Sequence, residues 1–183
     1  MIKRELYMNR IRPFIGGELI KVMTGIRRSG KSVMLELIKE ELAEAGVAPS
    51  QMISINFEDM RYSHLQTATA LHDEIIKRAE GIEGKAYLFF DEIQEVEGWE
   101  KCVNSLRVAL DCDIYITGSN AKLLSGELAT YIGGRYVEFV IYPFSFAEFL
   151  ELYHTIAPSD SIQQCFQKYL PVSYTHLTLP TIL

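Results

Sequence analysis

The chain has 183 residues, 48% hydrophobic and 23% charged, with a net charge of −6. That length suits one α/β domain with a sizeable core, and the acidic balance argues against a chain-wide nucleic-acid footprint. No run is apolar enough to span a bilayer, the N-terminus lacks a signal-peptide core, and the unpaired spacing of Cys102, Cys112 and Cys165 reads as reduced thiols in a cytoplasmic protein.

Residues 1–17 read as a helical lead-in in which Tyr7, Ile11 and Phe14 share a face, broken by Pro13 and Gly16-Gly17. Lys3, Arg4, Arg10 and Arg12 form a local basic patch there, read in preference as a solvated helix face. Leu19 to Met23 is a short apolar run with the character of a buried strand.

After Thr24 comes Gly25-Ile26-Arg27-Arg28-Ser29-Gly30-Lys31-Ser32. It fits the phosphate-loop pattern, Gly, four residues of any kind, then Gly-Lys-Ser/Thr. Glycines let the backbone curl so that successive N–H groups face phosphate oxygens, and the next helix adds the positive end of its dipole. Lys31 suits the β- and γ-phosphates and the Ser32 hydroxyl suits Mg²⁺. Met34, Leu35, Ile38 and Leu42 then recur at helical spacing, and Gly46 and Pro49 stop that helix.

Met52 to Phe57 reads as a second strand ending in Glu58-Asp59, acids that fit helix capping better than a metal or water site. Leu71, Ile75, Ile76 and Ala79 mark a second helix closed by Gly81 and Gly84. Ala86 to Phe90 is an apolar strand leading into Asp91-Glu92, the Walker B pattern. A buried strand carries Asp91 to the sheet edge to hold Mg²⁺, and strand alternation turns Glu92 away from it to polarise a water, which favours hydrolysis over transfer to an acceptor.

Trp99 to Leu110 reads as a third helix and Asp113 to Thr117 as a fourth strand, ending in Gly118-Ser119-Asn120. Ser119 or Asn120 suits a γ-phosphate sensor, and a turn with this chemistry is the competing reading. A short helix is expected over Leu123 to Tyr131, then Gly133-Gly134-Arg135 and a fifth strand from Tyr136 to Ile141. Arg135 fits an arginine finger or a structural ion pair. Ser145 with Glu148 forms a capping box for a helix through Tyr153. His64, His72, His154 and His176 show no ligand spacing.

Together these blocks resemble the additional-strand, catalytic-glutamate division of the P-loop NTPases. More narrowly, the chain is similar to the prokaryotic AAA-type ATPases usually labelled "ATP-binding protein". The resemblance rests on Thr24 to Ser32, Ile55 to Asp59, Phe90 to Gln94, Tyr115 to Asn120, and Gly134-Arg135-Tyr136 with Pro143 to Phe146. It implies a three-layer α/β fold with a five-stranded parallel sheet in the order 5-1-4-3-2. It also implies an ATP-binding protein that hydrolyses ATP with Mg²⁺ and couples this to a conformational change. Gly25, Ile26, Arg27, Arg28, Ser29, Gly30, Lys31 and Ser32 would hold nucleotide, Ser32 and Asp91 the metal, and Glu92, Ser119, Asn120 and Arg135 would serve catalysis. A nucleotide-gated interaction module with little turnover is the alternative. A small-molecule phosphotransferase is disfavoured because no arginine-rich lid follows the fourth strand, and the lack of a guanine-reading Asn-Lys-x-Asp motif favours ATP. A homo-oligomer or a partner protein completes the expectation, with nucleic acid left open and no membrane.

The organisation expected is a lead-in over 1–17, an ATPase domain over 18–156, and the start of a truncated C-terminal region over 157–170, because the family typically continues into a further domain. Ser161 to Leu170 reads as a helix. Residues 171–183 look like the translation of a transposon-end sequencing adapter, and the native sequence is expected to end near Leu170.

Overall fold

The computed structural model describes residues 3–118, 132–156 and 160–177. Five strands form one sheet: β1 (Ile20–Thr24), β2 (Met52–Asn56), β3 (Ala86–Asp91), β4 (Cys112–Thr117) and β5 (Tyr136–Val140). All pairings are parallel and the order is β2-β3-β4-β1-β5, as expected. Among the described residues six α-helices accompany them: α1 (Glu5–Ile11), α2 (Lys31–Glu44), α3 (Ala68–Ala79), α4 (Trp99–Ala109), α5 (Phe146–Ile156) and α6 (Ile162–Leu177).

Strand alternation splits the core in two. Val22, Ile53, Ile55, Leu88, Phe90, Ile114 and Ile116 face one way, onto Leu71 and Ile75 of α3 and Trp99, Val103 and Leu106 of α4. Met23, Phe89, Tyr115, Phe139 and Ile141 face the other, onto Tyr7 and Ile11 of α1 and Met34, Leu35, Ile38 and Leu42 of α2. A parallel sheet covered on both faces must be apolar on both, which is why these strands read as continuous apolar runs. Phe89 and Tyr115 stack with centroids 4.8 Å apart.

One buried polar cluster interrupts the second face. Lys21 and Asp113, both fully buried, form an ion pair. Asp113 also accepts from the Gly16 N–H at 2.6 Å and the Tyr115 hydroxyl at 2.7 Å, and Lys21 donates to the Gly17 carbonyl at 3.1 Å. A buried charge is tolerated only when partnered in this way, and here the partners pin the end of the lead-in to β1 and β4.

The helix ends follow the sequence signals. Gly46 sits at φ +92° after α2, where Gly46 N–H reaches the Ala43 carbonyl and Val47 N–H the Leu42 carbonyl, a glycine-terminated cap. Asp59 accepts from the Arg61 N–H at 2.9 Å and caps the short helical turn after β2, as the capping reading required. The Ser145–Glu148 capping box is present at the start of α5. The helix expected over Ser161 to Leu170 runs to Leu177, past Pro171, a residue that ordinarily ends a helix at its predecessor. All three cysteines are buried and free. Among the described residues no helix is long and apolar enough to cross a membrane.

Candidate nucleotide-binding site

Parallel pairing brings the C-terminal ends of all five strands to one edge, where ligands of open α/β sheets bind. The loop from Gly25 to Gly30 joins β1 to α2 there. Its backbone is unusual at three points: Gly25 at φ +151°, Arg28 at +65° and Gly30 at +95°. A Cβ on Gly25 would lie 2.2 Å from the Ile141 carbonyl oxygen and 2.8 Å from Ser29 Oγ. Only glycine fits, because the segment after β5 packs directly on the loop. Thr24 fixes the loop's entry by donating to Glu138 at 2.6 Å.

Lys31 is buried and its ammonium folds over the loop, 3.5 Å from the Gly25 carbonyl and 3.4 Å from that of Ile26. It also lies 3.4 Å from Glu92 Oε1. Ser32 is exposed at the first turn of α2. Ser29 is buried and its hydroxyl has no hydrogen-bond partner. Arg27 is exposed, its guanidinium 3.7 Å from Glu58 across the loop mouth.

Asp91 ends β3 and is 6% exposed. Two neighbours hold it: Thr117 donates its hydroxyl proton to Oδ1, and Asn56 Nδ2 donates to Oδ2 at 3.2 Å. Both lie at the ends of the flanking strands. Glu92 already lies beyond the strand at φ +55°, so its direction comes from a left-handed backbone and not from the expected alternation. That conformation is costly for a residue with a side chain. It is stabilised because Glu92 N–H donates to Thr117 Oγ1 at 2.9 Å, while the carboxylate accepts from Gln94 Nε2 at 2.6 Å. Thr117 thus serves both acids through one hydroxyl.

A cradle that admits no Cβ, a buried hydroxyl without a partner, and a lysine over the loop suit phosphate. Among the described residues no group of three or more His, Cys, Asp or Glu could hold a metal by itself. One carboxylate and one hydroxyl, with phosphate and water completing the shell, is the oxygen-only set that suits Mg²⁺.

A family model described as "AAA domain" matches residues 18–150. The chain belongs to the AAA domain family. This AAA domain is 44% identical over 169 residues to an uncharacterized protein of Haemophilus influenzae, covering 92% of this chain and 42% of that one. It spans less than half the length of the curated relatives it matches. Among solved structures it superposes on the Aeropyrum pernix Orc1 protein, determined in complex with DNA, with a TM-score of 0.59 and 18% identity, covering 86% of this chain and 50% of that one. It also superposes on AMPPCP-bound DnaA from Aquifex aeolicus, with a TM-score of 0.54 and 13% identity, covering 96% and 62%. At such identities these two likenesses concern the fold. Together with the family they make this an AAA-type P-loop domain, of a class that binds nucleotide.

Lys31, Asp91 and Glu92 meet at one edge. Ser119, Asn120 and the helix expected over Leu123 to Tyr131 lie outside the described residues. Arg135 is not at this edge. It precedes β5 at the opposite end of the sheet, where its carbonyl accepts from Ile20 N–H at 2.9 Å and its side chain donates to Asn104 at 3.2 Å.

Three residues of the site were missed from sequence. Asn56 and Thr117 enter the sequence reading only as strand residues within the blocks of the resemblance, although a polar residue closing an apolar strand beside Walker B is a usable signal. Arg4, expected on a solvated face, is buried instead. It is 1% exposed and lies against the phosphate loop, donating to the Ser29 carbonyl at 2.9 Å. Local charge patterning cannot reveal this, because the burial comes from segments far along the chain.

Proposed function

We propose that this domain binds ATP and hydrolyses it with Mg²⁺, and that the cycle drives a conformational change. The observation that supports this best is the convergence of Lys31 and the Asp91-Glu92 pair, joined by a 3.4 Å contact and held by Thr117. In this reading Lys31 and the amides of Gly25 to Lys31 hold the phosphates. Ser32 and Asp91 take the metal, which when bound neutralises charge on the β- and γ-phosphates. Glu92 leaves Lys31 once phosphate competes for the ammonium, and it then orients the attacking water. Ser119 or Asn120 reports the γ-phosphate. Arg135 acts on a neighbouring protomer, which makes the isolated domain slow.

Three buried thiols support a reducing, cytoplasmic setting. A partner protein or a second copy completes the machine; DNA, held by the Orc1 neighbour, remains an outcome for experiment because this chain is acidic overall. A nucleotide-gated interaction module is the second reading, favoured by the Lys31–Glu92 pair, which occupies the base until nucleotide arrives.

The deciding experiment is Mg²⁺-ATP turnover against protein concentration for the wild type and Glu92→Gln. Turnover per protomer that rises with concentration and collapses in the variant supports a hydrolase completed by self-association. Tight binding without turnover in either protein supports the gated module, and no binding removes both.

A further inference from the structure

Arg4 precedes α1 and carries a guanidinium that bonds in three directions. Nη1 donates to the Ser29 carbonyl at 2.9 Å, Nη2 to the Tyr142 carbonyl at 2.7 Å, and Nε to Glu148 Oε1 at 2.8 Å. Its carbon lies 4.5 Å from the Tyr7 ring centroid and 5.1 Å from that of Phe144, so aromatic faces enclose the cation. One side chain thereby joins the lead-in, the phosphate loop, the segment after β5 and helix α5. Burial opposes ionisation of Glu148, but the Arg4 guanidinium and the Ser145 N–H and hydroxyl outweigh it and hold the carboxyl below its usual range.

The contact to Ser29 matters because of peptide geometry. The Ser29 carbonyl and the Gly30 N–H belong to one peptide unit, and no cis bond occurs among the described residues. In a trans peptide the two groups point in opposite directions. A donor that fixes the carbonyl from behind therefore aims the Gly30 amide forward, into the cradle where the Ser29 hydroxyl is buried without a partner. Arg4 Nη1 would stand 3.2 Å from a Cβ placed on Gly30, so it packs on the outer wall of that same peptide.

We propose that Arg4 is a positioning residue for nucleotide binding: it clamps the Ser29–Gly30 peptide so that the Gly30 N–H faces phosphate. This rests on the reading that the loop binds a nucleoside triphosphate. Arg4 itself touches no phosphate. Lysine cannot replace it, because a single ammonium lacks the planar fork that reaches two carbonyls and a carboxylate from one centre.

The test measures MgATP affinity by equilibrium titration, amide hydrogen exchange and thermal melting on the full chain. The proteins are the wild type, Lys31→Ala, Arg4→Lys and Glu148→Gln. The expected result for Arg4→Lys is an affinity loss of about tenfold, with a cooperative melt and faster exchange at residues 25–32 as well as at the segment after β5. Glu148→Gln, which keeps a neutral acceptor for Arg4, is expected to lose about threefold. A folded Arg4→Lys that binds as tightly as wild type overturns the clamp, provided Lys31→Ala has lost binding. Should Arg4→Lys fail to fold, Glu148→Gln decides, and unchanged affinity there overturns it equally. Failure of the wild type itself to bind MgATP is a different result, which removes the nucleotide reading and the clamp together.

Discussion

Lys31 and Glu92 face each other across the head of the phosphate loop, ammonium nitrogen to carboxylate oxygen 3.4 Å, with both side chains largely out of solvent. Each is the other's counter-charge, so phosphate and carboxylate compete for one cation. Glu92→Gln removes the competitor and the proposed base in one step. The expected outcome is an MgATP affinity that rises a few-fold while turnover falls by about 10²–10⁴. Titration with a fluorescent nucleotide and single-turnover hydrolysis would check both; weaker binding with normal turnover would remove both roles from the pair.

Thr117 gives its proton to Asp91 and accepts the Glu92 N–H at 2.9 Å. Thr117→Val keeps the shape and loses both bonds. It is expected to destabilise the fold by about 1–3 kcal/mol, since a buried carboxylate and a partly buried amide lose a partner. Because Asp91 then turns more freely, the Mg²⁺ concentration for half-maximal nucleotide binding should rise more than nucleotide affinity at saturating Mg²⁺ falls. Melting curves and Mg²⁺ titrations separate the two effects, and an unchanged Mg²⁺ requirement would leave Thr117 a purely structural role.

Gly25 and Gly46 both sit at positive φ but differ in surroundings. A Cβ at Gly46 meets nothing within 4 Å, whereas at Gly25 it would meet the Ile141 oxygen at 2.2 Å. Gly46→Ala is expected to cost about 1 kcal/mol of backbone strain. Gly25→Ala must displace the segment after β5 and is expected to cost more than about 3 kcal/mol, or to prevent folding. Denaturant melts of the two variants give the comparison directly, and equal costs would show that the segment after β5 yields easily.

The architecture was readable because its signals are local. Apolar runs such as Ala86 to Phe90, glycines at helix ends and the capping box at Ser145 each report on their own neighbourhood, and the order of motifs carried the strand order through the family resemblance. The fixed spacing of Gly25, Gly30 and Lys31 did the same for the loop. What sequence could not give were relations between distant segments. Arg4 reads as one more basic residue until the helix 144 positions later supplies Glu148. Asn56 and Thr117 acquire meaning only when parallel register sets them on either side of Asp91. Glu92 departs from the alternation rule because the strand ends one residue earlier than that rule assumed.

Cys102 and Cys112 are buried, and burial pushes their thiols up to about 12 and about 11. Desolvation disfavours the thiolate, which is the reactive form, so at pH 8 both should be far less reactive than an exposed thiol. Cys165 is also fully buried. The native protein is therefore expected to resist iodoacetamide at pH 8 over hours and to label three sites promptly in denaturant. Mass spectrometry counts the adducts. Rapid labelling of Cys102 or Cys112 without denaturant would show that α4 or β4 opens easily.

Arg135 begins the segment that enters β5, and its own carbonyl pairs with Ile20 at the start of β1. The phosphate loop leaves the other end of β1. Five residues of strand separate the two, about 16 Å at the usual rise. An arginine side chain does not span that distance, so any contribution to phosphate chemistry must be made to another protomer. Arg135→Ala is therefore expected to keep MgATP affinity within about twofold and to lose the concentration-dependent part of turnover, by about 10³ where an arginine finger is at work. Mixing supplies the sharper check. Arg135→Ala protomers retain Glu92, and Glu92→Gln protomers retain Arg135, so a mixed interface can rebuild one complete site from two inactive proteins. Turnover that appears only in the mixture assigns Arg135 to the neighbour's site. Mixtures no more active than their components, with a folded Arg135→Ala, would leave it the structural contact to Asn104 that the fold already shows.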